Sequence, residues 1–204
     1  MKMREKEIMS KKAAYEDKPC RYFRKPGPAN TGHVLKAVGE RAKMLGIRKV
    51  LVATCGGDTA LEALKVLHAG IRLIAVTHVT GFAEPDSQEM KESRRRKLQD
   101  RGVQVLTCQH AFGGVGRAVR NRLKSYQIDE IMAYTLRTFG QGAKVAIEIA
   151  LMAADAGLVR TDEDIISVGG TGEGADTALV IKPANSFSFF DLKVREIICK
   201  PAHF

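Results

Sequence analysis

The stretch Val50-Leu51-Val52-Ala53-Thr54-Cys55-Gly56-Gly57-Asp58-Thr59 decides how the rest of the chain is read. Its first four residues form a short apolar run bounded by turn residues, the pattern of a buried strand in a parallel sheet. A helical pattern opens at Ala60. The turn between such a strand and its helix lies at the carboxyl edge of the sheet, where open α/β sheets bind ligands. Glycines there let the backbone come close to a ligand, and the helix start offers free N–H groups and positive dipole to an anion. Residues Thr54 to Thr59 are therefore expected to hold a phosphate.

The pattern repeats outward from this turn. A helix with Ala60, Ala63, Leu64 and Leu67 on one face stops at Gly70, and Ile71 to Thr77 is the next buried strand, completing a right-handed βαβ unit. Thr59 and Glu62 have capping-box spacing, so Thr59 either only caps the helix or also touches a ligand. The second strand again ends in small polar residues, Thr77-His78-Val79-Thr80-Gly81-Phe82. Pro85-Asp86 is expected to open a third helix, with Asp86 and Glu89 at capping spacing and Arg94-Arg95-Arg96-Lys97 as a solvated face. Val103 to Leu106 makes a third strand, ending at Thr107-Cys108-Gln109-His110.

Upstream, Tyr22 to Pro28 is extended, because residues before prolines avoid the helical region. Asn30 or Thr31 then caps a helix with Val34, Leu35, Val38, Ala42 and Leu45 on its apolar face and Gly46 at its end. Downstream, helical spacing over 115–123 and from Ile128 is broken near Phe139-Gly140-Gln141-Gly142. The helix after the break is the most apolar of the chain and should pack on the sheet, with Glu148 off its stripe, solvent-facing or paired. Ile165 to Val168 is a fourth strand, running into Gly169-Gly170-Thr171-Gly172-Glu173-Gly174. The β-like run Ala178 to Ile181 follows these glycines where a dinucleotide fingerprint requires a helix, so they read as a strand–loop–strand nest able to wrap a phosphate. Val194 to Ile198 is the last strand, after Phe187, Phe189 and Phe190, which cover a sheet edge or an apolar pocket.

The chain has 204 residues, 45% hydrophobic and 27% charged, which suits one globular domain with a small appendage. No stretch approaches the roughly 20 apolar residues of a membrane span, which argues against a membrane partner. Residues 1–18 carry both signs of charge and no apolar core of a secretory signal, so they read as a tail ahead of a single domain over 19–204. Cys20, Cys55, Cys108 and Cys199 lie far apart with no CxxC pair, which fits a reducing, cytoplasmic setting. A net charge of +10 favours anionic partners. The basic helix lacks the interleaved aromatics that would point to nucleic acid.

The stretches KPGPANT (25–31), VATCGGDTA (52–60), VTHVTGF (76–82), EIALMAADAGL (148–158), VGGTGEGADTALVIKPA (168–184) and FFDLKVREIICKP (189–201) resemble a small family of stand-alone, largely archaeal proteins related to the C-terminal α/β domain of pyruvate kinase. The resemblance covers essentially everything after the tail. It implies a three-layer α/β/α sandwich, its sheet mostly parallel with an antiparallel strand near the C-terminus. In pyruvate kinase the corresponding domain binds an allosteric sugar phosphate through a Ser/Thr/Gly loop, and the stand-alone proteins are associated with flavin mononucleotide. No catalytic barrel fits beside this domain, so phosphoryl transfer to ADP is not expected. Cys55 stands where a serine-like loop residue is expected, removing one hydroxyl donor.

On that reading Thr54, Gly56, Gly57 and Thr59 donate to the phosphate, with Cys55 and Asp58 in the same loop. His78, Thr80, Gly81 and Phe82 flank the ribityl chain or a second edge. Phe139, Gly140 and Gly142, and Gly170, Thr171 and Gly172, approach the ring or the phosphate. Cys55 is also weighed as a nucleophile, since a helix N-terminus favours a thiolate, although no histidine neighbours it in sequence. His78 and His110 sit at strand ends as candidate acid–base groups, metal ligands or hydrogen-bonding groups. Three functions follow: a flavin-nucleotide protein, with or without oxidoreductase activity; a non-catalytic sensor of a phosphorylated metabolite; and a basic nucleic-acid module. A homo-oligomer is compatible with each.

Overall fold

The computed structural model describes residues 14–204; residues 1–13 of the expected tail lie outside them. The strands are β1 (Arg21–Phe23), β2 (Lys49–Ala53), β3 (Arg72–Val76), β4 (Gln104–Leu106), β5 (Ile165–Gly169), β6 (Thr177–Lys182) and β7 (Lys193–Pro201). The helices are α1 (Thr31–Leu45), α2 (Asp58–Val66), α3 (Glu92–Gln99), α4 (Val115–Leu123), α5 (Ile128–Arg137) and α6 (Gln141–Asp155), with short 3-10 turns at Pro28–Asn30 and Ser186–Asp191. All strands join one sheet in the order β1-β7-β6-β5-β2-β3-β4. Neighbours run parallel except β6, which is antiparallel to both β5 and β7.

Strand alternation divides two cores. Val50 and Val52 of β2, Leu73 and Ala75 of β3 and Ile166 and Val168 of β5 face α1, α2 and α3. Leu51, Ile74 and Ile165 face the opposite side, with α5 and α6. Helices on both faces of the sheet give the three-layer α/β/α architecture, and burial on both sides explains why β2 and β5 read as unbroken apolar runs.

α6 lies hard on the sheet because small residues let it. A Cβ on Gly169 would come within 2.2 Å of the Gly142 carbonyl oxygen, and one on Gly142 within 2.3 Å of Thr177 Oγ1. Ser167 Oγ donates to the Ala146 carbonyl at 2.7 Å in the same contact. This seats the α6 N-terminus at the carboxyl ends of β2 and β5.

Two local expectations are corrected. The third helix starts at Glu92, not at Asp86, which has a left-handed φ of 58° in the loop before it. α2 starts at Asp58 after Gly57, with no side-chain cap, so Thr59 caps nothing; Thr54 Oγ1 instead accepts the Gly57 N–H at 3.1 Å. Of the two readings of Glu148, solvent-facing or paired, the second holds, and the residue is buried: its Oε2 accepts from Lys144 Nζ at 2.5 Å and its Oε1 from the Phe112 N–H at 2.9 Å. Of the three late phenylalanines, Phe187 and Phe190 are exposed, and only Phe189 packs inward, edge-on against Phe112. Among the described residues no helix is long and apolar enough to cross a membrane.

Candidate functional site

β2 is where the topology switches: α2 leads from it to β3 on one side, while β5 on its other side is reached only after α6. Open α/β sheets bind ligands in the crevice outside the strand ends at such a point. A cleft of about 690 Å³ opens there, floored by Ala53, Val76, Val145, Ile149 and Met152 and walled by the starts of α1, α2 and α6. Thr31, Asp58 with Thr59, and Gln141 bring those three helix starts to the wall. None of the three N-cap residues makes a side-chain capping hydrogen bond. The first N–H groups of a helix have no partner within it, so the starts of α2 and α6 bring donors and positive dipole ends to one crevice, whereas α1 continues the 28–30 turn and its Thr31 N–H already bonds the Pro28 carbonyl.

The walls also carry Asp58, Glu62, Glu89, Glu148 and Glu173, and no Lys or Arg lines the cleft. Three of these carboxylates are already engaged. Asp58 is paired with Arg94, whose Nη1 also donates to the Gly56 carbonyl at 3.0 Å. Glu148 is held by Lys144, and Glu89 by His78. Unlike α2, which begins with Asp58, α6 has no acidic residue in its first turn, and its N-terminus is open to an anion.

Of the residues expected at the site, Thr54, Cys55, Gly56, Asp58, Thr59, His78, Gly170 and Gly172 line this cleft. Thr171 lies between two of them, its Oγ1 buried with no hydrogen-bond partner among the described residues. Gly57, Thr80, Gly81, Phe82, Phe139, Gly140 and Gly142 are not among the lining residues. Gly57 turns toward α3, where a Cβ would meet Met90 and Arg94 at 3.5 and 3.7 Å, and its φ of 98° makes it a conformational glycine rather than a ligand cradle. Gly142 serves helix–sheet packing. Gly140 begins α6 with a φ of 115°, and Phe139 is solvent-exposed before it. Phe82 lies behind the wall, stacked on His78 at 4.0 Å between ring centroids.

The sequence reading missed the contacts made across loops. Cys55 Sγ lies 3.3 Å from His78 Nε2, and His78 Nδ1 lies 2.6 Å from Glu89 Oε2. Cys55 and His78 end adjacent strands, a proximity that the parallel pairing of β2 with β3 makes readable in retrospect. Each of the three offers a potential metal-ligand atom, all within 4.8 Å of one another. The expected thiolate is not favoured: burial, then the Glu89 carboxylate, pushes the Cys55 thiol up to about 11. His110, also in the wall, accepts the Val79 N–H at Nε2 (3.3 Å), and burial holds its pKa below the ordinary histidine range.

Residues 32–181 match the family described as "Pyruvate kinase, alpha/beta domain". The chain belongs to that family. Among solved structures, this alpha/beta domain aligns over 76% of its length with 24% of Cryptosporidium parvum pyruvate kinase in complex with ADP, at 16% identity and a TM-score of 0.37. It thus spans about a quarter of that enzyme's length.

Proposed function

We propose that the cleft at the β2–β5 switch point binds a small phosphorylated ligand, and that this ligand is flavin mononucleotide. The observation that carries the reading is the opening of two helix N-termini without side-chain caps, those of α2 and α6, on one crevice. Backbone N–H groups and dipole ends bind phosphate without a lysine or arginine. The phosphate is placed at the α6 start and the Gly170-Thr171-Gly172 loop, where the Thr171 hydroxyl is still unpartnered. A volume of about 690 Å³ suits a nucleotide-sized molecule, and the apolar floor with His78 and His110 at one side suits a planar ring. The flavin itself would supply any redox chemistry, the protein holding and orienting it.

A visible absorption spectrum of the purified protein, followed by a flavin fluorescence titration, tests this. Bound flavin, or saturable quenching on addition, supports the assignment; a colourless protein that ignores added flavin refutes it. The second reading, a non-catalytic sensor of a phosphorylated metabolite, is favoured by membership of a family named for a domain of pyruvate kinase. Under that reading sugar phosphates raise the melting temperature by mass action where flavin does not. Four cysteines free of disulfides support a cytoplasmic placement, which belongs to the same proposal.

A further inference from the structure

We propose that Cys55, His78 and Glu89 form a nucleophilic relay that accepts an acyl group from a carboxylic ester or thioester. The inference goes beyond ligand binding and stands whichever phosphate, if any, the cleft holds.

Nucleophile and base lie within hydrogen-bond reach, and the base is oriented by a third group, the arrangement that activates cysteine and serine nucleophiles. The His78 ring is engaged at both ends, Nδ1 by Glu89 and Nε2 by Cys55. The contacts run in order from thiol through imidazole to carboxylate, as a proton relay requires; the same three groups lie close enough to ligate a metal, and the test below separates the two. Glu89 accepts the Nδ1 proton and so fixes the tautomer whose Nε2 lone pair faces the thiol. His78 is further held by stacking on Phe82. Cys55 lines the cleft, whereas Cys199 is buried, and neither Cys20 nor Cys108 has a histidine partner. Gly56, Asp58 and Thr59, which follow Cys55 in the chain, line the same wall, and the first N–H groups of α2 have no partner within the helix to keep them from an oxyanion.

Because the thiol keeps its proton at neutral pH, attack is coupled to proton transfer. As the Sγ–carbon bond forms, the thiol proton passes to Nε2 and the carbonyl π pair moves onto oxygen. Collapse of the tetrahedral intermediate breaks the bond to the leaving alcohol or thiol, which takes the proton from the imidazolium. Water, deprotonated by Nε2, then attacks the Cys55 thioester and releases the acid, with the proton returning to sulfur. The net reaction is ester plus water to acid plus alcohol. Cys55 and His78 are the catalytic residues, and Glu89 is a positioning residue.

The full-length protein is treated with p-nitrophenyl acetate, reading the nitrophenolate burst and mapping the acetyl group by peptide mass spectrometry. A stoichiometric burst with acetyl on Cys55 is expected, and Cys55→Ser removes it. His78→Ala slows the burst by about 100-fold or more, the usual scale of general-base catalysis. Glu89 is one-third exposed, so Glu89→Gln folds normally yet slows the burst by at least about tenfold, with Glu89→Asp recovering part of the loss. Circular dichroism and the melting temperature, unchanged in Glu89→Gln, separate positioning from support of the fold. Acetyl spread evenly over Cys20, Cys108 and lysines, or a burst unaffected by His78→Ala and Glu89→Gln, overturns the proposal. So does stoichiometric zinc in the purified protein that Cys55→Ser abolishes, since the three groups would then be metal ligands. A flavin titration on the same preparation reports on the ligand reading separately.

Discussion

Replacing Gly142 with alanine sets two effects of opposite sign against each other. Alanine in a helix is favoured over glycine by roughly 0.5–1 kcal/mol, so propensity alone predicts a more stable protein. The added Cβ, however, would lie 2.3 Å from Thr177 Oγ1, 2.5 Å from Asp176 Oδ1 and 2.7 Å from Thr177 Cβ. Those side chains are fully buried and bonded to each other at 2.8 Å, and Asp176 also accepts the Gly27 N–H, so neither can swing aside. Overpacking of this kind costs about 1–3 kcal/mol. The difference leaves Gly142→Ala destabilised by about 1 kcal/mol, a fall of roughly 2–4 °C in melting temperature for a domain of this size. Urea denaturation with and without the second change Thr177→Ala measures it, and the double variant should recover more than half of the loss because the two sites touch. Gly142→Ala melting at or above the parent temperature would refute the close seating of α6, and with it the placement of its N-terminus at the cleft.

Acid should weaken the fold through His110: burial lowers its native pKa, so the stability it contributes is complete above about 6.5 and is lost as pH falls through the lower native value. Melting curves between neutral and mildly acidic pH should show that slope, and His110→Gln should flatten it. Lys144→Ala leaves the buried Glu148 carboxylate with the Phe112 N–H and the His110 ring 4.0 Å away but no lysine, at a cost of about 3–5 kcal/mol by chemical denaturation, and Lys144→Met with Glu148→Gln should restore much of it. Gly57→Val forces a branched side chain to a φ of 98° and should lower stability by about 1–3 kcal/mol with ligand affinity little changed in the folded fraction. Gly56→Ala, whose Cβ would sit 3.6 Å from Arg94, should leave the unfolding free energy from urea denaturation within about 0.5 kcal/mol of the parent.

The sheet was legible because burial on both faces writes itself into sequence as apolar runs, as at Val50 to Ala53 and Ile165 to Val168. That a strand rather than a helix follows the glycine loop was legible too, since a strand-like run comes at once, while the antiparallel strand was an implication of the family resemblance. Local spacing misled where a tertiary partner outbid it. Asp86 and Glu89 have capping spacing, but Glu89 is taken by His78 and the helix begins later. The basic run of α3 reads as solvated, yet Arg94 clasps the Gly56 carbonyl and Arg95 donates to Thr107 Oγ1 at 2.8 Å. Glu148 falls off the apolar stripe because α6 is buried nearly all round, and a lysine one turn earlier neutralises it. The Cys55–His78 contact spans 23 residues and depends on two strands ending level, information that no short window of sequence holds.

The α1 wall of the cleft is tied to residues almost a whole chain away. Gly27 donates to Asp176 across 149 positions, Thr31 Oγ1 accepts from Ala175 across 144, and β1 is zipped to β7 at Arg21–Cys199. During synthesis a ribosome would expose β2, β3 and β4 with their helices long before β6 and β7 emerge to fasten the amino-terminal segment. Closing so distant a loop costs entropy before any contact repays it, and topologies of that kind assemble slowly. The α1 wall of the crevice is accordingly among the last parts of the molecule to be fastened, and a nascent or truncated chain lacking its final strands would carry the β2 and β3 edge of the cleft with that wall untied.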